Sequence, residues 1–239
     1  MILTVCLIFL LIPPPARGSS AKEQPQKTTV QSGYVTVDGK LYYYDENGVL
    51  QKGGIVGPAT PDYSYADSSG VCCTSEEITL AANFIRSYGK GTTAEELLSS
   101  CYEKLASCEY ERDYHTPATA QDMAHEAIVM FQNEKGNCYK YAACMACVGK
   151  VLGYPSRVVI GELPQEDDAT EMRHAWNQIK IDGTWYIFDA NAQMQEPWNT
   201  LGFFKMEEHS WITVTDAVYE ITFDSDGSAM WKDVDFIYE

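Results

Sequence analysis

The pattern of apolar and polar positions divides the chain into a helical part and a strand-rich part. In four segments, apolar residues recur every three or four positions, which marks one face of a helix. These segments begin near Thr74, Thr93, Thr119 and Cys138. Thr93 and Glu96 have the spacing of a capping box, and Gly153 stops the fourth segment. The pattern therefore predicts four helices, of which the fourth is apolar enough to be buried.

The second half of the chain carries the pattern of strands. The segments rich in β-branched and aromatic residues are 156–161, 211–214, 218–223 and 229–237. Between two further strand segments, Asp182-Gly183 signals a two-residue hairpin turn. That register places His174 and Asp189 on one sheet face as diagonal neighbours, about 7–8 Å apart. The whole pattern predicts an α+β fold, with helices packed on an antiparallel sheet.

The first 70 residues differ in kind from the rest. A short apolar stretch followed by prolines is typical of a signal peptide, which we predict at residues 1–18. Residues 19–32 are polar and lack periodicity, and we expect a linker there. Within residues 33–54, an Asp-Gly and an Asn-Gly pair separate short aromatic strands and predict a β-hairpin. Residues 55–70 are rich in Pro, Ser, Asp and Tyr and are predicted to be a second linker.

Composition limits the partners that the chain can have. Its formal net charge is −17, and such a surface repels nucleic acid and anionic membranes. A zinc site would need a second cysteine pair at finger-like spacing, and the chain has none. Asp224 and Asp226 lack the spacing of a calcium loop. We therefore expect no nucleic-acid partner, no metal and no cofactor.

Eight cysteines are present, of which one lies in the predicted signal peptide. In an exported chain the others could form disulfides, although sequence alone does not fix the pairing. A bridge from Cys72 or Cys73 to Cys101 or Cys108 is the favoured guess, because both pairs flank predicted helices. Of the remaining three, Cys144 and Cys147 lie one helical turn apart and are expected to be buried apolar filler, and Cys138 is treated next.

Cys138 opens the fourth predicted helix, and this position suggests chemistry. Unpaired backbone N–H groups and the positive end of the helix dipole stabilise a thiolate there. A nucleophilic cysteine also needs a base and a group that orients the base. The predicted hairpin supplies both, in His174 and Asp189. The residues alone thus predict a Cys-His-Asp thiol site; a buried core cysteine near a stabilising His–Asp pair is the structural alternative.

Three short blocks resemble the transglutaminase-like superfamily, whose fold and triad are related to those of papain-like thiol enzymes. Where animal transglutaminases have Gly-Gln-Cys-Trp, this chain has Gly136-Asn137-Cys138-Tyr139. Where they have His-Val-Trp-Asn, it has His174-Ala175-Trp176-Asn177. Where they have a Trp and then Asp-Ala-Thr-Pro-Gln, it has Trp185 and then Asp189-Ala190-Asn191-Ala192-Gln193. The resemblance implies a transglutaminase-like (papain-like cysteine proteinase) fold for residues 71–239.

The resemblance also implies a role for individual residues. The implied set is the nucleophile Cys138, the general base and acid His174, the orienter Asp189, and the cleft neighbours Asn137, Tyr139 and Trp176. Papain-like enzymes place an oxyanion-hole glutamine six residues before the cysteine, where this chain has Gln132. An exposed glutamine at a helix end is the alternative for that residue.

The implied reaction is attack on a peptide or protein amide with a thioester intermediate. Hydrolysis is slightly favoured over amine transfer, because Asn137 and Tyr139 replace the Gln and Trp of cross-linking enzymes. A protein-crosslinking transglutaminase is the first alternative. The alternative of another class is a non-catalytic binding module at the cell surface.

Residues 33–54 resemble one cell-wall-binding repeat of the choline- and glucan-binding type, in which aromatic faces hold ligands between stacked repeats. A single hairpin is marginal alone, so packing on the following domain is favoured over polymer binding. Together with the predicted signal peptide, this hairpin indicates a secreted or cell-surface protein. A cell-wall peptide as substrate and a cell-wall polymer at the repeat are the candidate partners.

Overall fold

The computed structural model of the protein describes residues 31–58, 63–112, 117, 119–163, 172–194, 202–207 and 214–235. The predicted signal peptide, most of the first predicted linker and the predicted strand segment 211–213 lie outside these residues. Among the described residues, no helix is both long and apolar enough to cross a membrane.

The architecture combines five helices and twelve strands within the described residues. The helices are α1 (Glu76–Tyr88), α2 (Ala94–Ala106), α3 (Asp122–Asn133), α4 (Cys138–Val151) and α5 (Ala190–Gln193). The first six strands are β1 (Gly33–Val37), β2 (Lys40–Tyr44), β3 (Gly54–Val56), β4 (Ser64–Ala66), β5 (Glu109–Tyr110) and β6 (Lys135–Gly136). The others are β7 (Ser156–Leu163), β8 (Met172–Ile181), β9 (Thr184–Phe188), β10 (Met206–Glu207), β11 (Val214–Phe223) and β12 (Ala229–Asp233).

A six-stranded antiparallel sheet forms one layer, in the order β10-β9-β8-β7-β11-β12. The β8–β9 hairpin pairs Ile181 with Thr184 and Asn177 with Phe188, as the two-residue turn predicts. β11 is one strand with an irregularity between Thr215 and Ala217, where the sequence predicted two separate segments. The α+β class and the antiparallel sheet are confirmed.

The helices cover one side of this sheet, with α4 at the centre. Every residue of α4 except Lys150 is buried, because the helix packs on β7, β8 and the other three long helices. The predicted capping box of α2 is present: Glu96 N donates to Thr93 Oγ1 at 3.2 Å, and Thr93 N donates to Glu96 Oε2 at 3.0 Å. Ser75 begins α1 without a side-chain cap, and its Oγ instead accepts a hydrogen bond from Ala229 of β12.

The N-terminal segment forms two small hairpins that pack on the domain. The first, β1–β2, is the predicted hairpin, and it is attached by a 2.7 Å hydrogen bond from Cys72 N to the Leu41 carbonyl. The second, β3–β4, lies where a linker was predicted at residues 55–70. Tyr65 of this segment stacks on Phe223 of β11, with ring centroids 4.9 Å apart, and so attaches the segment to the domain.

All seven cysteines of the described residues are free thiols and are buried. The predicted bridge to Cys101 or Cys108 is therefore wrong. Cys72 packs with Val56 and Ala66 in a separate apolar cluster, whereas Cys101 belongs to the main core around α4. Cys144 and Cys147 are fully buried on α4, which confirms that they fill the core.

Candidate active site

The turn between α3 and α4 places Cys138 at the first residue of the helix. Asn137 is the N-cap, and its side chain accepts a hydrogen bond from Lys140 N at 3.3 Å. Gly136 is required because a Cβ there would lie 2.6 Å from the Cδ of Lys140. The first turn of a helix presents backbone N–H groups, and the helix dipole favours an anion there. The local sequence thus places the Cys138 side chain at the positive end of the α4 dipole.

His174 and Asp189 meet as the hairpin register predicts. The distance from His174 Nε2 to Asp189 Oδ2 is 2.5 Å, and the two residues are 5% and 2% exposed. Asp189 begins α5 as its N-cap, so its other oxygen, Oδ1, accepts a hydrogen bond from Ala192 N at 2.8 Å. The carboxylate is therefore fixed at both oxygens and holds one edge of the imidazole.

The other edge of the imidazole meets the Cys138 side chain. The His174 ring hydrogen-bonds with the Cys138 side chain, and Nδ1 is the nitrogen that Asp189 leaves for this contact. Burial by itself lowers the pKa of His174, but the charge and hydrogen bond of Asp189, followed by those of Cys138, raise it to about 10. Both partners thus favour the protonated, charged form of the ring. The structure brings the three predicted triad residues together.

Two side chains that the sequence gave no catalytic role tie this site to the core. Asn177 Nδ2 of β8 donates to the Ala142 carbonyl of α4 at 2.5 Å. This bond joins the strand that carries His174 to the helix that begins at Cys138. Tyr102 of α2 donates its hydroxyl to the Asp189 carbonyl at 3.0 Å. The block resemblance includes Asn177, but a tyrosine on a buried helix face carries no sequence signal of its own.

A buried ion pair lies beside the turn that leads to Cys138. Lys140 Nζ of α4 approaches Glu126 Oε2 of α3 at 3.1 Å, and the two side chains are 9% and 2% exposed. The aliphatic stem of Lys140 lies against Gly136. This pair therefore joins α3 and α4 on either side of the turn.

Of the four other predicted site residues, one is exposed and three are buried. Gln132 is exposed near the end of α3 and donates its amide to Glu76 of α1 at 3.2 Å, so we drop it as an oxyanion donor. The predicted cleft neighbours Asn137, Tyr139 and Trp176 are only 2%, 5% and 2% exposed. Trp176 stacks on the His174 ring, with ring centroids 6.4 Å apart. It also packs in an apolar cluster with Val159, Ile187 and Val218.

Comparison with known proteins gives a family for this region. The profile of the transglutaminase-like superfamily matches residues 78–190. No curated protein sequence matches the chain. Within the described residues, no group of three His, Cys, Asp or Glu side chains is placed to hold a metal ion.

Three solved structures resemble the protein at low sequence identity. A candidate cysteine protease of Cytophaga hutchinsonii is 16% identical and has a TM-score of 0.39; the match covers 69% of this chain and 54% of that chain. The chain thus spans about half the length of that protein. An arylamine N-acetyltransferase of Bacillus cereus with a Cys-His-Glu triad is 13% identical, with a TM-score of 0.40 and coverage of 68% and 72%. An arylamine N-acetyltransferase of Mycobacterium marinum is 15% identical, with a TM-score of 0.36 and coverage of 68% and 66%.

The low scores carry no activity over to this chain, whereas the family profile spans all three residues of the site. Cys138, His174 and Asp189 lie inside the matched range. Residues 78–190 form a transglutaminase-like domain.

Proposed function

We propose that the protein is a thiol enzyme that acts on amide bonds of peptides or proteins through a thioester on Cys138. The observation that carries this proposal is the buried contact chain from Cys138 through the His174 ring to Asp189. A thiolate–imidazolium pair at a helix N-terminus is the arrangement that activates a cysteine as a nucleophile.

The proposed reaction has two halves. In the first, the Cys138 sulfur attacks the amide carbonyl carbon, and the oxyanion is held by the Cys138 N–H at the start of α4. The C–N bond then breaks, His174 gives its proton to the departing amine, and a thioester remains. In the second, neutral His174 takes a proton from water as the oxygen attacks the thioester. The acid product leaves, and the thiolate–imidazolium pair is restored.

We favour water over an amine as the second nucleophile. The triad serves both reactions, so the exclusion of water from the thioester decides between them. The residues on both sides of Cys138 differ from those of cross-linking enzymes, and one of them, Asn137, is a buried helix cap. Transfer to an amine, which would cross-link proteins, is the alternative that uses the same site.

We further propose that the protein works outside the cell or at its surface, with a peptide such as a wall peptide as substrate. The apolar N-terminal stretch and the repeat-like hairpin support this location. The hairpin itself fits a structural role better than polymer binding. Its Tyr34 and Tyr43 pack against the cluster of Val56, Ala66 and Cys72, which occupies surface that a ligand would need. A surface-binding module without catalysis is thereby the less favoured alternative.

The test is product analysis with a mixture of unfolded proteins and a labelled primary amine. We expect the wild type to generate new amino termini or to convert side-chain amides to acids, with little labelled amine incorporated. Cys138→Ala should abolish turnover. Cys144→Ala, which removes a fully buried thiol from the same helix, should remain active. Dominant incorporation of the amine would reverse the preference for hydrolysis, and turnover that survives Cys138→Ala would refute the proposal.

A further inference from the structure

Asp189 makes several hydrogen bonds besides the one to His174. Its backbone N–H donates to the Phe203 carbonyl at 3.0 Å, and its carbonyl accepts from Gln193 N at 3.0 Å. Its Oδ1 accepts from Ala192 N. These three partners belong to the segment that follows β9. They fix the local shape of the turn but do not attach it to α2.

Tyr102 supplies that attachment. It lies on α2, is 3% exposed, and donates its hydroxyl to the Asp189 carbonyl at 3.0 Å. Its ring packs edge-on against Phe188, the residue before Asp189, and against Phe204, with centroids 6.4 and 5.2 Å away. Phe188 and Phe204 also pack edge-on against each other at 5.1 Å. Asp189 is thus supported by the Tyr102 hydroxyl and by the packed rings of Tyr102, Phe188 and Phe204.

We propose that Tyr102 is a positioning residue for the triad, which sets the orientation of Asp189 and, through it, of His174. This inference rests on the proposed thiol function of Cys138. The hydroxyl has one proton to donate, and burial together with the nearby Asp189 charge raises the pKa of Tyr102, so the group stays a neutral donor at working pH. A fixed Asp189 keeps Oδ2 aligned with Nε2, and small losses of alignment at such sites cost large factors in rate.

Removal of the hydroxyl should leave the fold in place. The Asp189 carbonyl keeps its bond from Gln193 N, and phenylalanine preserves all three ring contacts. The turn is then free to shift against α2, and Asp189 supports the imidazolium less well. Alkylation of Cys138 should therefore begin at a higher pH than in the wild type, because a less stable imidazolium stabilises the thiolate less well.

The molecule contains a matched control for this test. Tyr141 of α4 is also buried, at 2% exposed, and also donates its hydroxyl to a backbone carbonyl, that of Cys108, at 2.8 Å. Tyr141→Phe therefore removes the same kind of hydrogen bond from the same core. The two variants differ in whether the lost bond ends on the triad.

The experiment measures alkylation of Cys138 by iodoacetamide in the full chain across pH. Trypsin separates this residue from the other cysteines, because the peptide Gly136–Lys140 contains Cys138 alone. We expect Tyr102→Phe to slow alkylation near neutral pH by about tenfold and to move the acid limb of the rate profile to higher pH. Tyr141→Phe should stay within about twofold of the wild type, since its bond does not touch the site.

The outcomes separate the two claims. Wild-type reactivity in Tyr102→Phe, while His174→Ala is slow, would overturn the positioning role and leave the thiol function intact. Equal slowing in both tyrosine variants would also overturn it, because a general loosening of the core would then suffice. If His174→Ala matches the wild type, both claims fail. Should Tyr102→Phe not fold, Phe204→Leu replaces it. That variant keeps the Tyr102 hydroxyl but removes a ring that packs against Tyr102, and it should also slow alkylation of Cys138.

Discussion

The substitution Lys140→Met is the sharpest test of how the nucleophile turn is held. Methionine keeps the length and apolar stem that lie against Gly136, and removes only the ammonium. It leaves Glu126, whose side chain is 2% exposed, without the cation 3.1 Å away. A buried carboxylate that loses its counter-charge is strongly destabilising, since little water can replace it.

The expected magnitude follows from this burial. Breaking a buried ion pair by removing one partner costs about 3–5 kcal/mol, whereas replacing both partners by apolar side chains is often neutral. We therefore expect Lys140→Met to lower the free energy of unfolding by about 3 kcal/mol or more. The double variant Lys140→Met with Glu126→Leu should recover most of that loss, because neither position then leaves an unpaired buried charge.

Urea unfolding followed by circular dichroism measures both effects. The control is Lys135→Met, which breaks an ion pair with Glu111 that has a similar separation of 2.8 Å but side chains 41% and 51% exposed. Its unfolding should change little, because solvent screens exposed pairs. The reasoning is wrong if Lys140→Met costs no more than Lys135→Met, or if adding Glu126→Leu brings no recovery.

Three further predictions concern the base, the strand–helix link and a helix cap. Because the pKa of His174 is raised to about 10, its contribution to stability should be complete below about pH 6.5 and should fall as pH rises toward 10. The difference in unfolding free energy between wild type and His174→Ala, from urea titrations across that range, should decline by up to about 1.4 kcal/mol per pH unit; a constant difference contradicts the assignment. Asn177→Ala removes the bond to the Ala142 carbonyl and should cost about 1–3 kcal/mol in urea unfolding while slowing Cys138 alkylation. By contrast, Asn83→Ala loses a bond to Thr79 within α1 and one from Tyr63 N, and should leave alkylation unchanged. Thr93→Ala breaks the α2 capping box and should cost about 1 kcal/mol in the same unfolding assay, again without effect on alkylation; a change in Cys138 reactivity would show that α2 is coupled to the site through its cap.

The parts of the site that depend on local rules could be read from the sequence. A two-residue turn fixes the hairpin register, so Asp182-Gly183 was sufficient to pair His174 with Asp189. The apolar period and the residues before Cys138 placed that cysteine at the start of a buried helix. Residues close together in the chain determine these features, so they can be predicted from the sequence.

The parts that depend on partners far along the chain could not be read in this way. Tyr102 and Asp189 are 87 residues apart, and the position of Tyr102 on an apolar helix face predicts only burial. Gln132 was predicted from its spacing to Cys138, but α3 continues to Asn133 and leaves its amide on the outside, against α1. The three-residue strands β3 and β4 are too short for an alternating pattern to show, and tertiary packing decides their structure.

The central claim is that Cys138 and His174 form a reactive ion pair. The most direct test is the alkylation rate of Cys138 against pH, read from the peptide Gly136–Lys140, in the wild type and in His174→Ala. We predict a wild-type rate that is high and nearly level between about pH 6 and pH 8, and a His174→Ala rate that rises with pH as for an ordinary thiol with a pKa of about 8.5. If the two proteins instead show the same rising profile, the imidazole does not activate the sulfur, and the account of this site as a thiol enzyme is wrong.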